Sequence, residues 1–466
     1  MDQHLDINVG TAESSDDCTR LLGSGPADGN TRQHGQTLEQ DHEKNQIDSE
    51  NRKDYHMALP TFVRGYVGSG LLALPFVFYQ AGIVWGFILT IICCLSNHYL
   101  MKLVALTCDD CGVSRDAWGN MCKAVGGRRL KIIGEVSLLV SQLGTCIGET
   151  MFALKFLNYA FCALSIDSMC DQGYKHVILY LAVIIPLTAV TNMRHLSWPN
   201  EIADFATVAF ITVTVLLGIS QLGSLGSFFT NLEGNFFTVN LGQTALFCGT
   251  LLYAIGGVGA ILDVRNSMNN KQVFYRVLRN GFLVIGLHFG FFGAFNSLVS
   301  LDKTQEIYLY NLPVSTISLS SQIVYLFTIT MTYITNQFPI ITILENWADP
   351  DDHYFHDDRT EGGKKMQAIR YSMRYGLLVV VIAIACLLPS FNLLLSLVGS
   401  YNFMVMNGLI PVLTYNSHFK GRISTRTMII NMGLLLFCVI FGGFGMIQSV
   451  YKMFAPETLA AASASS

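Results

Sequence analysis

Eleven apolar runs, each long enough to cross a bilayer, constrain this chain more than any other feature. They fall at 57–79, 82–107, 130–160, 175–192, 201–222, 243–264, 274–300, 317–346, 372–389, 391–415 and 427–450. A helix spans the hydrocarbon with about 20 mainly apolar residues. Backbone inside lipid must satisfy its own hydrogen bonds, so runs of this length predict helices. Only 13% of the chain is charged, against about 25% in average soluble domains. An all-α, multi-pass membrane protein follows, with the lipid bilayer as its first partner. No basic patch suits it to nucleic acid, and no nucleophile–base arrangement marks it as an enzyme.

Lys and Arg collect in alternate connections. Arg115, Lys123, Arg128 and Arg129, with Lys131 at the start of the third run, mark the second-to-third connection, and Arg194 lies between the fourth and fifth. Arg265 and Lys271, with Arg276 and Arg279 at the start of the seventh run, mark the sixth-to-seventh connection. Arg359, Lys364, Lys365 and Arg370, with Arg374 at the start of the ninth run, mark the eighth-to-ninth connection, and Lys420, Arg422 and Arg426 lie between the tenth and eleventh. The intervening loops carry little beyond Lys175 and Lys303. Basic loops stay cytosolic, so the N-terminus is expected in the cytosol and the short 456–466 tail on the other side. Residues 1–55 are polar and acidic, with too little apolar surface to fold alone. We expect a disordered cytosolic tail, in which Asp17, Leu21 and Leu22 fit an acidic dileucine pattern read by sorting adaptors of endosomes, lysosomes or vacuoles.

Two runs are interrupted. The first contains Gly65-Tyr66-Val67-Gly68-Ser69-Gly70-Leu71, and the sixth contains Tyr253-Ala254-Ile255-Gly256-Gly257-Val258-Gly259. Glycine costs a helix interior roughly 1 kcal/mol against alanine. Small residues also line close helix contacts in membranes, so one such break alone is open to a packing reading and a ligand reading. The two breaks lie five runs apart. Paired interruptions in corresponding halves point to an inverted-repeat transporter with its substrate near the midplane. The expected organisation is a transmembrane domain over 56–455, with a first repeat at 57–222, a second at 243–415 and an extra helix at 427–450. Neither break follows a strand or carries Gly-Lys-Ser/Thr, which sets aside a phosphate loop.

The run Arg64-Gly65-Tyr66-Val67-Gly68-Ser69-Gly70-Leu71-Leu72-Ala73-Leu74-Pro75, followed by Ala81-Gly82, resembles the opening of the amino acid/auxin permease family. The nearest resemblance is to its proton-assisted and vacuolar neutral amino acid transporters. Gly257-Val258-Gly259 with Asn266-Ser267-Met268, Tyr310-Asn311-Leu312-Pro313, and Gln337-Phe338 with Glu345 resemble further family motifs in order. The resemblance covers roughly residues 57 to 450. It implies eleven helices, the first ten in the fold of bacterial leucine transporters with helices 1 and 6 broken, and secondary transport of neutral amino acids. Three departures leave substrate and coupling open. Ile255-Gly256-Gly257 stands where proton-assisted members carry Phe-Glu-Gly, Thr61 where they often carry His, and Glu149 where they show Tyr.

On this reading a small neutral amino acid places its carboxylate at the N-terminus of a half-helix beginning near Gly68, Ser69, Gly70 and Leu71. N–H donors and the dipole converge there. Carbonyls near Tyr66, Val67, Tyr253, Ala254, Gly256 and Gly257 would receive its ammonium. Sodium-coupled relatives carry Asn at the position of Arg64, and a guanidinium there stays charged, which argues for a proton as co-substrate. Glu149, inside the third run, is the expected carrier, since ionisable groups within the bilayer mark function by default. A structural ion pair with Arg64 or Lys155 is its plain alternative, and Asp204 and His288 are secondary candidates for the carrier. An amino-acid sensor on a lysosomal or vacuolar membrane, using the same pocket, is the alternative function.

No cofactor or metal is expected. Cys108-Asp109-Asp110-Cys111 lacks a second pair for zinc, and the Asp- and His-rich stretch at 349–358 matches no ligand spacing. The twelve cysteines read mainly as free thiols, with Cys162 and Cys170 the one plausible pair. Asn-x-Ser/Thr does not occur.

Overall fold

The computed structural model describes residues 49–63, 65–113, 117–166, 169–170, 173–190, 197–221, 230, 232–234, 238–256, 258–268, 270–348 and 361–455. Arg64, Gly257, the dileucine residues Asp17, Leu21 and Leu22, the 349–358 stretch and the 456–466 tail lie outside them. The chain divides into Met1–Lys53, of which only 49–53 are described, and a body over Asp54–Ser466.

Thirteen main helices carry the described fold: α1 (49–63), α2 (Ser69–Ala81), α3 (Ile83–Asp110), α4 (Ala117–Ala163), α5 (Gly173–Thr188), α6 (Ser197–Gln221), α7 (Leu241–Ile255), α8 (Val258–Ser267), α9 (Lys271–Ser300), α10 (Thr316–Ala348), α11 (Glu361–Leu387), α12 (Phe391–His418) and α13 (Thr425–Met453). Among the described residues, eight helices are long and apolar enough to cross a membrane, and three shorter apolar ones, α2, α5 and α7, complete the expected eleven. The first and sixth elements are each split, α1 from α2 and α7 from α8. The fold is therefore the expected all-α one with broken helices 1 and 6.

Packing between the two halves is reciprocal. Helix α2 of the first element packs on α9, the seventh; α7 of the sixth packs on α3, the second. Likewise α6, the fifth element, packs on α10, the eighth, while α12, the tenth, packs on α4, the third. Exchanged pairs of this kind are what two superimposable repeats produce. Helix α4 begins before the expected third run because a bend at Gly126 and Gly127 joins a short basic-side helix to the span. Gly127, at φ 67°, takes a conformation that side chains disfavour.

The motif Cys108-Asp109-Asp110-Cys111 ends α3 and serves as a double clamp. Asp109 accepts from the fully buried Arg265 of α8 and from the Tyr275 hydroxyl of α9 at 2.6 Å. Arg265 also donates to the Val113 carbonyl at 3.2 Å and to Asn266 at 3.0 Å. A buried guanidinium is tolerated only when its donors are used in this way. Asp110 turns instead to His418 of α12 at 2.5 Å and to Arg422 at 3.3 Å. Two adjacent acids thus tie the end of α3 to three other elements. Cys162 and Cys170, the one plausible pair among cysteines expected to be mainly free thiols, are joined in a disulfide. The turn after α4 brings the two together across eight residues.

Candidate functional site

The break in the first element is short. After α1 the Gly65 N–H donates to the Thr61 carbonyl and the Tyr66 N–H to the Val63 carbonyl, both at 3.2 Å, so Gly65 and Tyr66 form a turn at the end of the helix. Gly68 is fully extended, at φ −137° and ψ −162°, and the chain re-enters a helix at Ser69 through a tight first turn. The Leu71 N–H closes that turn on the Gly68 carbonyl at 3.1 Å. Leu71 therefore offers no free donor, which narrows the expected donor set. The Gly68 carbonyl also accepts from the Tyr325 hydroxyl of α10 at 2.9 Å.

Glu149 of α4 meets this break. Its side chain is 2% exposed. Its carboxyl is faced by both the hydroxyl and the backbone N–H of Ser69. A Cβ added to Gly68 would lie 3.6 Å from Glu149 Oε1, an ordinary contact. Glu149 Oε2 is buried without a partner among the described residues. The Tyr253 hydroxyl of α7 completes the group at 3.4 Å from Ser69 Oγ. It reaches this point because α4 carries Gly148, where a Cβ would stand 2.7 Å from that hydroxyl. Five residues from four elements, Gly68, Ser69, Glu149, Tyr253 and Tyr325, thus converge. Lys155 is not among them: its ammonium reaches the Pro389 carbonyl at 3.4 Å, near Glu306.

The glycines of the first break divide by role. At Gly70 a Cβ would approach the Ala254 Cβ and the Tyr253 ring at 2.9 Å, so this glycine serves close packing of α2 on α7. At Gly68 there is room, and the neighbour is the carboxyl. The side chains of several expected site residues pack in the core. Tyr66 is buried with its ring against Phe62 and Phe282, at centroid distances of 5.2 and 5.8 Å. Leu71 is fully buried, and Ala254 is held against Gly70. Val67 is half-buried beside Gly68.

The sixth element breaks differently. Gly256 leaves helical geometry at φ −97° and ψ 61°. Any Cβ there would lie 2.3 Å from the Leu252 carbonyl oxygen. The Ile255 carbonyl, set free by the break, accepts from the Asn97 side chain of α3 at 2.6 Å. Helix α7 lies hard against α12, where a Cβ on Gly399 would stand 1.9 Å from the Gly249 carbonyl oxygen. The sequence does not single out Asn97 and Tyr325, which satisfy carbonyls at the two breaks. Their only signal is a polar group inside an apolar run, which many interior residues share.

With this geometry in view, the relatives are informative. The family described as transmembrane amino acid transporter protein matches residues 53–455. The chain belongs to that family. A vacuolar amino acid transporter 3 of Saccharomyces cerevisiae is 24% identical over 399 residues, covering 83% of this chain and 54% of the yeast protein. A vacuolar amino acid transporter 4 of the same yeast is 26% identical over 345 residues, covering 69% and 47%. The chain thus spans about half the length of these yeast relatives. The Arabidopsis thaliana amino acid transporter AVT3B is 25% identical over 402 residues, covering 83% of this chain and 91% of the plant protein. A manganese transporter of Eremococcus coleocola superimposes with a TM-score of 0.49 at 11% identity, covering 88% and 90% of the two chains.

Proposed function

We propose that this protein is a secondary active transporter of small neutral amino acids, coupled to protons and working by alternating access in a vacuolar or lysosomal membrane. One observation carries the reading: a buried carboxyl, Glu149, stands at the N-terminus of the broken first helix, within reach of Tyr253 from the broken sixth. A helix N-terminus attracts carboxylates through its N–H groups and dipole. A zwitterion placed there sets its carboxylate at Ser69 and its ammonium toward the α7 end. Glu149 then exchanges the coupled proton next to the bound substrate. Arg64 supports protons over sodium from the sequence alone, since a fixed guanidinium takes the place of a sodium-binding asparagine. The compartment rests on the names of the relatives.

Reconstitution in liposomes tests this reading. Labelled L-alanine, L-leucine or L-glutamine should accumulate against its gradient under an imposed pH difference and not under a sodium difference at constant pH. Accumulation that followed sodium would overturn the coupling. Specific binding with no flux under either gradient would identify a sensor instead.

A further inference from the structure

We infer that Glu149 is a tethered rival of the substrate's carboxylate, and that proton and amino acid are coupled because both carboxylates compete for the same Ser69 donors. This deepens the transport reading above and rests on it. Three observations place Glu149 in that role. Its carboxyl is faced by the Ser69 hydroxyl and N–H at the first turn of α2, where the substrate carboxylate is expected. Gly68 leaves Oε1 in contact with the break at 3.6 Å from the position of an added Cβ. Oε2 is buried and unpartnered among the described residues, although the side chain is only 2% exposed. A buried polar atom without a partner calls for an explanation, and a bound proton or substrate donor at Oε2 supplies one.

The consequence follows from charge. An ionised Glu149 holds the N–H groups as a charge-assisted acceptor and repels a second carboxylate brought alongside it. Once protonated, it competes weakly for N–H donors, and its O–H can itself donate to the incoming carboxylate. The proton therefore enters with the amino acid and leaves with it, one for one, with no separate gate required. The other titratable groups bearing on the carboxyl are Cys146 on its own helix, Tyr180 of α5, Tyr253 of α7 and Tyr325 of α10. Among the described residues, no lysine, arginine or histidine bears on it. These neighbours are thiol and phenols, neutral across the range in which a carboxyl changes charge, so the competition is set by Glu149.

Binding of L-leucine and of its decarboxylated counterpart, isoamylamine, to the purified full-length protein decides the matter when followed across pH by thermal-shift titration. For the wild type, leucine affinity should weaken about tenfold per pH unit above the titration of Glu149, as one bound proton requires. In Glu149→Gln it should be flat with pH and close to the acid limit of the wild type. Isoamylamine has no carboxylate to contest Ser69, so its wild-type affinity should not weaken as pH rises; this comparison needs no variant. The inference is overturned if leucine and the amine weaken in parallel, or if Glu149→Gln keeps the wild-type slope. Those results would leave the transport reading standing wherever proton-driven flux is observed. Failure of L-alanine, L-leucine and L-glutamine all to bind or move would defeat both readings together.

Discussion

At the first break, a helix restarts with its N-terminus turned to a buried carboxyl. At the second, a helix stops with its last carbonyl tied off by an asparagine from α3 and its body wedged against α12. The sequence presents the two as similar glycine-rich interruptions. Structurally, one leaves donors facing a carboxyl that has an unused oxygen, while the other has its loose end satisfied from within the fold. On the transport reading proposed above, the first break is where the substrate carboxylate and the coupled proton meet. On the same reading, the described part of the second break is a packed support beside Tyr253. Broken helices in one membrane protein need not share a role, even where they occupy equivalent places in two repeats.

Substitutions test that contrast, beginning with the largest effect. Gly399→Val should prevent stable folding, because its side chain would enter the Gly249 carbonyl. Overpacking typically costs about 1–3 kcal/mol, and backbone cannot yield as a side chain can; fluorescence-detected gel filtration should show loss of the monodisperse peak. Asn97→Ala should cost about 1–3 kcal/mol by leaving the Ile255 carbonyl buried and unpaired, read as a lowered melting temperature with substrate affinity little changed. At the first break the pattern should reverse. Tyr325→Phe removes one hydrogen bond to Gly68, worth about 0.5–1.5 kcal/mol, and should weaken substrate binding several-fold with a small change in melting temperature. Smallest is the stability effect of Gly68→Ala, since its Cβ meets only an ordinary contact. Gly70→Ala, with a contact at 2.9 Å, should be clearly more destabilising than Gly68→Ala. If those two variants proved equally stable, the division between a packing glycine and a site glycine would fail.

Much of this molecule was legible in its sequence because bilayer thickness fixes element length. Apolar runs gave the eleven elements, and glycine clusters gave both breaks. Glu149 was legible as an acid where hydrocarbon tolerates few. What stayed hidden depends on distances across the fold. Gly68 and Gly70 look alike in the chain, and only the position of α7 separates them. Tyr325 and Asn97 look like ordinary interior polar residues until the carbonyls they satisfy are known. Asp109 and Asp110 read as one acidic pair, yet they point to different partners. The Cys162–Cys170 bond depended on a turn whose path no spacing rule provides.

Proton-driven accumulation by Glu149→Gln, reconstituted beside the wild type, tests the central claim most directly. The variant keeps the shape of the side chain and cannot take up or release the coupled proton. The account predicts that it will exchange labelled amino acid across the membrane at a rate comparable to the wild type, yet fail to concentrate it under an imposed pH gradient. Accumulation equal to that of the wild type would contradict the claim that Glu149, at the first break, carries the proton.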